Sequence, residues 1–321
     1  MHTSIDICNH VIGVSITNDR LFDYIRNRYI GFVAECSNAT DDFRVIDISE
    51  QQLKIDYGIG VEVDNIDKIL KRCDDRAEYY FIADQGTIVY DQARSICGVY
   101  IAQSLNSRLT YLFGVTVCNI IIDYLADCNI FCMHSSIVSF KHDLSNGIAF
   151  LGSSGVGKTS LAYEFIKKGE KITNDDVSYF RLYDDHMRVY KNTQYIGMDD
   201  ESIKRLYPEC EVHVEKKDGL ELDKNRINLS EMNKNAYAQF IDLKRVVIVS
   251  PERSGIAELK VCNEVVAFKN LFKAMTPFLP PNKIVKKRIV ERLLGLGLEF
   301  YELTPANSAF KTVESLYEIF K

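Results

Sequence analysis

Gly147-Ile148-Ala149-Phe150-Leu151-Gly152-Ser153-Ser154-Gly155-Val156-Gly157-Lys158-Thr159-Ser160 is the stretch from which the fold is read. Its first five residues form a short apolar run of the kind buried as a strand. Lys158 to Lys168 then has the pattern of a helix closed by Gly169. Between them, Gly152 to Thr159 fills every position of a phosphate-binding loop, Gly-x-x-x-x-Gly-Lys-Ser/Thr. The glycines allow successive backbone N–H groups to turn toward one point, where the helix N-terminus adds the positive end of its dipole. The spacing therefore points to a nucleotide: Gly152 to Ser160 wrap its phosphates, Lys158 reaches the β- and γ-phosphates, and the Thr159 hydroxyl holds Mg2+. An incidental Gly/Ser-rich turn would need neither the strand before it nor the helix after it.

The 321 residues suffice for one large domain or two ordinary ones, and a 46% hydrophobic content provides for a core. A net charge of −6 without long runs of like charge argues against nucleic acid or an acidic membrane surface as partner. Met1 to Ile12 lacks a basic segment followed by an apolar core, so secretion is not expected. Leu109 to Ile122 is the longest apolar run; it carries Thr110, Thr116 and Asn119 and stops at Asp123, which predicts a buried helix rather than a membrane span. Nine cysteines without a Cys-x-x-Cys pair predict reduced thiols in a cytoplasmic setting. Cys128, Cys132 and His134 match no standard zinc spacing, and core packing is the expected role of the two thiols.

Pattern changes divide the chain. Residues 1–90 read as a small α+β module, with a helix over Asn65–Arg72 and a hairpin formed by Tyr79–Ala83 and Thr87–Tyr90 around Asp84-Gln85-Gly86. Residues 91–321 read as an α/β domain carrying the phosphate loop, with long helical segments from Asp91 to Asp127 lying against it. After the loop helix come predicted strands at Val177–Leu182, Met187–Tyr190, Val246–Val249 and Phe300–Leu303. Helices are predicted at Val265–Met275 and Lys283–Leu296, separated by Pro277, Pro280 and Pro281.

Asp175 and Asp176 follow Lys158 by one helix and one tight return. That spacing brings a second loop back beside the phosphates, where a phosphoryl-transfer enzyme uses one carboxylate near Mg2+ and another to accept the proton of the attacking hydroxyl. The same Asn174-Asp175-Asp176 could instead be a turn that starts a strand.

His134-Ser135-Ser136, the loop with Lys158-Thr159, Lys168-Gly169 and Asp175-Asp176 together resemble the catalytic core of the HPr kinase/phosphorylase-like family over roughly residues 134–180. The resemblance implies a P-loop kinase domain that uses ATP and Mg2+. It makes Asp176 the general base, Asp175 and Thr159 the metal-side pair, Lys158 the phosphate clamp and His134 the histidine near the γ-phosphate and acceptor. It is also compatible with a symmetric homo-oligomer. The bifunctional members carry an Arg-Gly-x-Gly signature that is missing here; Gly197-Met198-Asp199-Asp200-Glu201 and the charged stretch Lys216–Arg226 stand in its place, and Ser160 replaces a family Glu. Phosphorylase activity is therefore not expected, and Lys224 and Arg226 read as a solvated hairpin or as phosphate contacts. Three functions follow from the resemblance: a kinase for serine on a peptide or small protein, which the N-terminal module favours; a kinase for free serine or a small hydroxyl compound; and a nucleotide-binding sensor without transfer activity.

Overall fold

The computed structural model describes residues 1–29, 32–34, 41–58, 69–73, 77–82, 85–102, 104–191, 195–198, 214–215, 225–228, 235–275 and 283–320. They fall into two units, Met1–Cys128 and Asn129–Lys321.

The first unit is an eight-stranded sheet. Its strands are β1 (His2–Ile7), β2 (His10–Ser15), β3 (Val33–Ala34), β4 (Phe43–Asp47), β5 (Ile69–Cys73), β6 (Glu78–Ile82), β7 (Gly86–Asp91) and β8 (Ile96–Ile101), in the order β3-β1-β2-β4-β8-β7-β6-β5. Cys8 and Asn9 both take positive φ, 57 and 66, which is the two-residue turn whose twist suits the β1–β2 hairpin. Helices α1 (Asp19–Arg28), α2 (Glu50–Tyr57) and α3 (Ser107–Asp127) each start at a side-chain cap, Asn18, Ser49 and Asn106 respectively. The α3 helix buries Phe113, Val117, Ile120 and Ile121 and packs on α1, β6 and β7. By length and composition alone it is long and apolar enough to cross a membrane, which the sequence reading did not expect, while its packing on these elements is that of the buried helix predicted for this run.

Three expectations are corrected here. The division falls after Cys128 rather than near residue 90, because β8 pairs with both β4 and β7 and so cannot be detached from the first sheet. Ile96–Ile101, expected to be helical, is that strand; Gly98 allows it to pass Ile48, whose side chain would lie 2.8 Å from an added Cβ. The helix expected at Asn65–Arg72 is partly outside the described residues, and Ile69–Arg72 belongs to β5, where pairing with β6 overrides the local pattern. The hairpin β6–β7 pairs Tyr79 with Val89 and Phe81 with Thr87, as the alternation predicts.

The second unit is built on β9 (Ile130–Phe140), β10 (Asp143–Leu151), β11 (Ile172–Asn174), β12 (Val177–Leu182), β13 (Met187–Tyr190), β14 (Tyr195–Met198), β15 (Val214–Glu215), β16 (Asn225–Asn228), β17 (Phe240–Val249), β18 (Glu258–Val261) and β19 (Glu299–Thr304). The pairings run β10-β9-β12-β13-β17-β19-β18, with β10 also parallel to β17 and β14-β16-β15 forming a separate small sheet. Helices α4 (Lys158–Lys167), α5 (Glu264–Ala274), α6 (Lys283–Gly295) and α7 (Ala309–Ile319) accompany them. The core joins Phe140, Phe150, Phe165, Val247, Leu303 and Leu316, all fully buried, from β9, β10, α4, β17, β19 and α7. Removing a ring such as Phe165 from it costs about 3–5 kcal/mol.

At the end of α4 a buried carboxylate closes the unit. Glu170, 1% exposed, accepts from Ser139 Oγ at 2.7 Å, the His142 N–H at 2.9 Å and the Tyr317 hydroxyl at 2.5 Å. Burial, and then this bond, hold the Tyr317 phenol well above its ordinary value, while burial pushes Tyr24 up to about 12. A raised folded-state value means that the folded protein keeps protons the unfolded chain has lost, so stability is complete below about pH 10 and declines above it. Thermal unfolding followed through that range is expected to show the decline. Tyr317→Phe is expected to reduce its slope while costing about 1–3 kcal/mol at neutral pH.

Candidate functional site

Strand β10 lies between antiparallel β9 and parallel β17, with Leu151 paired to Ile248, and leaves the sheet at Gly152. Any side chain at Gly152 would meet Val156 Cγ2 and the Val249 carbonyl, both 2.9 Å from an added Cβ. Gly155 and Gly157 take φ of +81 and +98, a conformation that side chains resist. Gly157 caps α4 and, as a glycine, supplies no side chain to its first N–H groups, while no acidic residue stands in the first turn. The helix start is left chemically suited to an anion. Val156 is buried beneath the loop, whereas Ser153, Ser154 and Gly155 are exposed. Lys158 is only 6% exposed, and its Nζ donates to the carbonyls of Gly152 and Ser153 at 3.0 Å each, so the ammonium is held inside the loop's curve.

The two aspartates sit at the return from β11 to β12, alongside β9: Asn174 pairs with Ile137, and Val177 with His134. The backbone turns sharply there. Asp176 has φ of +74, and its carbonyl accepts from the Ser135 N–H at 3.0 Å. A non-glycine residue in this region costs on the order of 1 kcal/mol, and such outliers concentrate at functional sites. The turn sends the adjacent carboxylates in different directions. Asp175 is buried, with both oxygens 3.0 Å from the Thr159 hydroxyl, and it also accepts from the Ser136 hydroxyl. Asp176 is 57% exposed, and its Oδ1 lies 2.9 Å from His134 Nδ1. Of the residues singled out from the sequence, Thr159 and Asp175 thus form one pair and His134 and Asp176 another.

The donor set at Thr159 and Asp175 is hydroxyl and carboxylate oxygen, which suits Mg2+; that ion commonly takes only one or two protein ligands and completes its octahedron with phosphate oxygens and water. Among the described residues no group of three or more His, Cys, Asp or Glu side chains is placed to hold a metal, so an all-protein cage is not offered there.

No family model and no curated protein matches the chain. Among solved structures, the HPr(Ser) kinase/phosphatase from Coxiella burnetii aligns with 59% of this chain and 97% of its own at 11% identity and a TM-score of 0.32.

Two residues at the site carry no role in the sequence reading. Ser136 has no assigned function in the motif, yet its hydroxyl donates to Asp175 from the neighbouring strand. Arg253 follows β17 on an exposed turn and reaches over the loop: its Nη2 donates to the Val156 carbonyl at 2.5 Å and lies 3.0 Å from where a Gly157 Cβ would be. The available signal was a basic residue just past a buried strand, legible only once that strand is known to run parallel to β10. Lys224 lies outside the described residues; Arg226 contributes backbone to β16. Of Gly197–Glu201, only Gly197 and Met198 are described.

The contrast between the aspartates sets their structural weights. Asp175→Ala removes the acceptor for two hydroxyls, that of Ser136 fully buried, and should lower unfolding free energy by about 1–3 kcal/mol. Asp176→Ala, at an exposed position, should change it by less than about 1 kcal/mol. Urea denaturation of the two variants measures the difference.

Proposed function

We propose that this chain is an HPr-kinase-related phosphotransferase that moves the γ-phosphoryl group of ATP, with Mg2+, to a serine hydroxyl on a peptide or small protein. The observation that carries the reading is the division of labour within the aspartate pair: a buried Asp175 tied to Thr159 of the phosphate loop, and an exposed Asp176 tied to His134. Inert turns do not need one carboxylate on the loop's hydroxyl and its neighbour on a histidine.

In this reading the loop amides and Lys158 hold the triphosphate, and the Lys158 ammonium exchanges the carbonyls of Gly152 and Ser153 for phosphate oxygens. Thr159 and Asp175 hold Mg2+, which when bound neutralises charge on the phosphates. Arg253, already on the loop at Val156, supplies a second cation near the same oxygens. His134 fixes the carboxylate of Asp176, which takes the proton from the acceptor hydroxyl as its oxygen bonds to phosphorus. The bond from that phosphorus to the β-phosphate oxygen breaks, and ADP leaves. A peptide acceptor is favoured because Met1–Cys128 is a folded unit that carries none of the nucleotide motif.

Lys158→Ala should abolish transfer and strongly weaken ATP binding, since the ammonium meets phosphate charge in ground and transition states alike. Labelled-ATP transfer together with equilibrium nucleotide binding tests this; near-normal transfer would place the active nucleotide site elsewhere. Asp176→Asn should leave ATP affinity within about threefold while lowering turnover by about 10² or more. A larger turnover loss in Asp175→Asn, with metal dependence unchanged, would exchange the two assigned roles. Lacking the Arg-Gly-x-Gly signature, the protein should form no pyrophosphate when a phosphoserine product is offered with inorganic phosphate.

A further inference from the structure

Beside the phosphate loop lies a cavity of about 570 Å3, at the ends of β17 and β19. Gly152 and Ser153 form one edge, His134 another, and Ile248, Val249, Leu303 and Ala274 contribute apolar wall. Its position relative to a bound nucleotide follows from Lys158. The ammonium that serves the β- and γ-phosphates rests on the carbonyls of Gly152 and Ser153, so the cavity abuts the γ end of the site. His134, bonded to Asp176, faces the same space.

The charged part of the lining is distinctive. Lys260 comes from the edge strand β18 and Lys273 from the last turn of α5, the helix that follows it, so two consecutive elements each bring an ammonium to the cavity. Glu302 stands directly opposite Lys260 in the β18–β19 pair, and Lys260 also lies 3.7 Å from Glu258, outside the cavity lining. With Lys260 and Lys273 against Glu302, the charged side chains of the lining leave one positive charge in excess. The Asn270 amide is occupied by the Val266 carbonyl of its own helix. The triphosphate already has the loop amides, Lys158 and Arg253; two further cations on the acceptor side are not needed to hold it.

We propose that this cavity is the acceptor site and that Lys260 and Lys273 make it selective for a hydroxyl compound bearing a carboxylate close to the hydroxyl. The inference rests on the kinase reading above and adds the chemistry of the substrate. A cavity of this size admits a single residue and its immediate neighbours rather than a folded surface. The hydroxyl is directed to the edge formed by His134, the residue that bonds Asp176, and the carboxylate to the lysines. That carboxylate has two sources, the α-carboxylate of a free amino acid or an acidic side chain next to serine in a peptide.

Calorimetric binding to the full chain, saturated with Mg2+ and a non-hydrolysable ATP analogue, distinguishes them. The probes are L-serine against serinamide, and a blocked Ser-Asp peptide against its Ser-Asn counterpart. In one arm the acid should bind about tenfold tighter than the amide, and the arm identifies the source. Lys260→Ala and Lys273→Ala should each diminish that preference, and the double variant should remove it, with affinity for the ATP analogue unchanged within about twofold. Both lysines are exposed, so the variants are expected to fold. No preference in either arm, including no binding by any probe, overturns the proposal. So does a preference that survives the double variant, or a loss of analogue affinity equal to the loss of acceptor affinity. Transfer of labelled phosphate to the same probes tests the kinase reading separately: selective binding without transfer keeps the site and removes the reaction.

Discussion

The carboxylate of Asp175 is the constraint on which the site depends. It lies buried between Thr159 at the start of α4 and Ser136 on β9, and its own backbone forms the return between β11 and β12. Three segments distant in sequence are thereby held to one position, and a buried carboxylate without such donors would cost several kcal/mol. Hydrogen bonds to a charged acceptor contribute about 1.5–3 kcal/mol each, so the same group that organises the loop helix also resists its displacement.

Around that anchor the molecule places less favourable backbone. Gly155 and Gly157 take positive φ without a side chain to oppose it; Asp176 does so with one. The strain at Asp176 has a consequence: it turns the second carboxylate out of the interior and onto His134, so that adjacent residues in the chain occupy a buried and an exposed environment. The Phe140, Phe150 and Phe165 core beneath the loop, closed at the other end of α4 by the buried Glu170, provides the rigid base against which this arrangement is maintained.

Local pattern made the loop and its immediate surroundings legible. Gly152 to Thr159 needs no distant partner to declare itself, because glycine spacing, Lys158 and the apolar run before them are all local properties. The strands at 177–182 and 187–190 and the helices at 264–274 and 283–295 likewise follow from periodicity within their own segments. Where the reading failed, the cause was non-local. Ile96–Ile101 and Ile69–Cys73 contain residues that suit helix or strand, and partners outside each segment decide in favour of strands, β4 and β7 for the first and β6 for the second. The unit boundary moved to Cys128 for the same reason, since β8 takes its place in the sheet between β4 and β7.

The sequence by itself determined the strand, glycine-rich loop and helix around Gly152–Thr159 and the pair of carboxylates that follows them, because both are matters of residue type and short spacing. Only the tertiary structure decided which carboxylate is buried, that His134 belongs to Asp176, that Arg253 crosses the loop, and that Lys260 and Lys273 share a cavity with His134. Those relations depend on β9, β17 and β19 being brought alongside the loop, and strand pairing over long separations leaves little trace in the local order of residues.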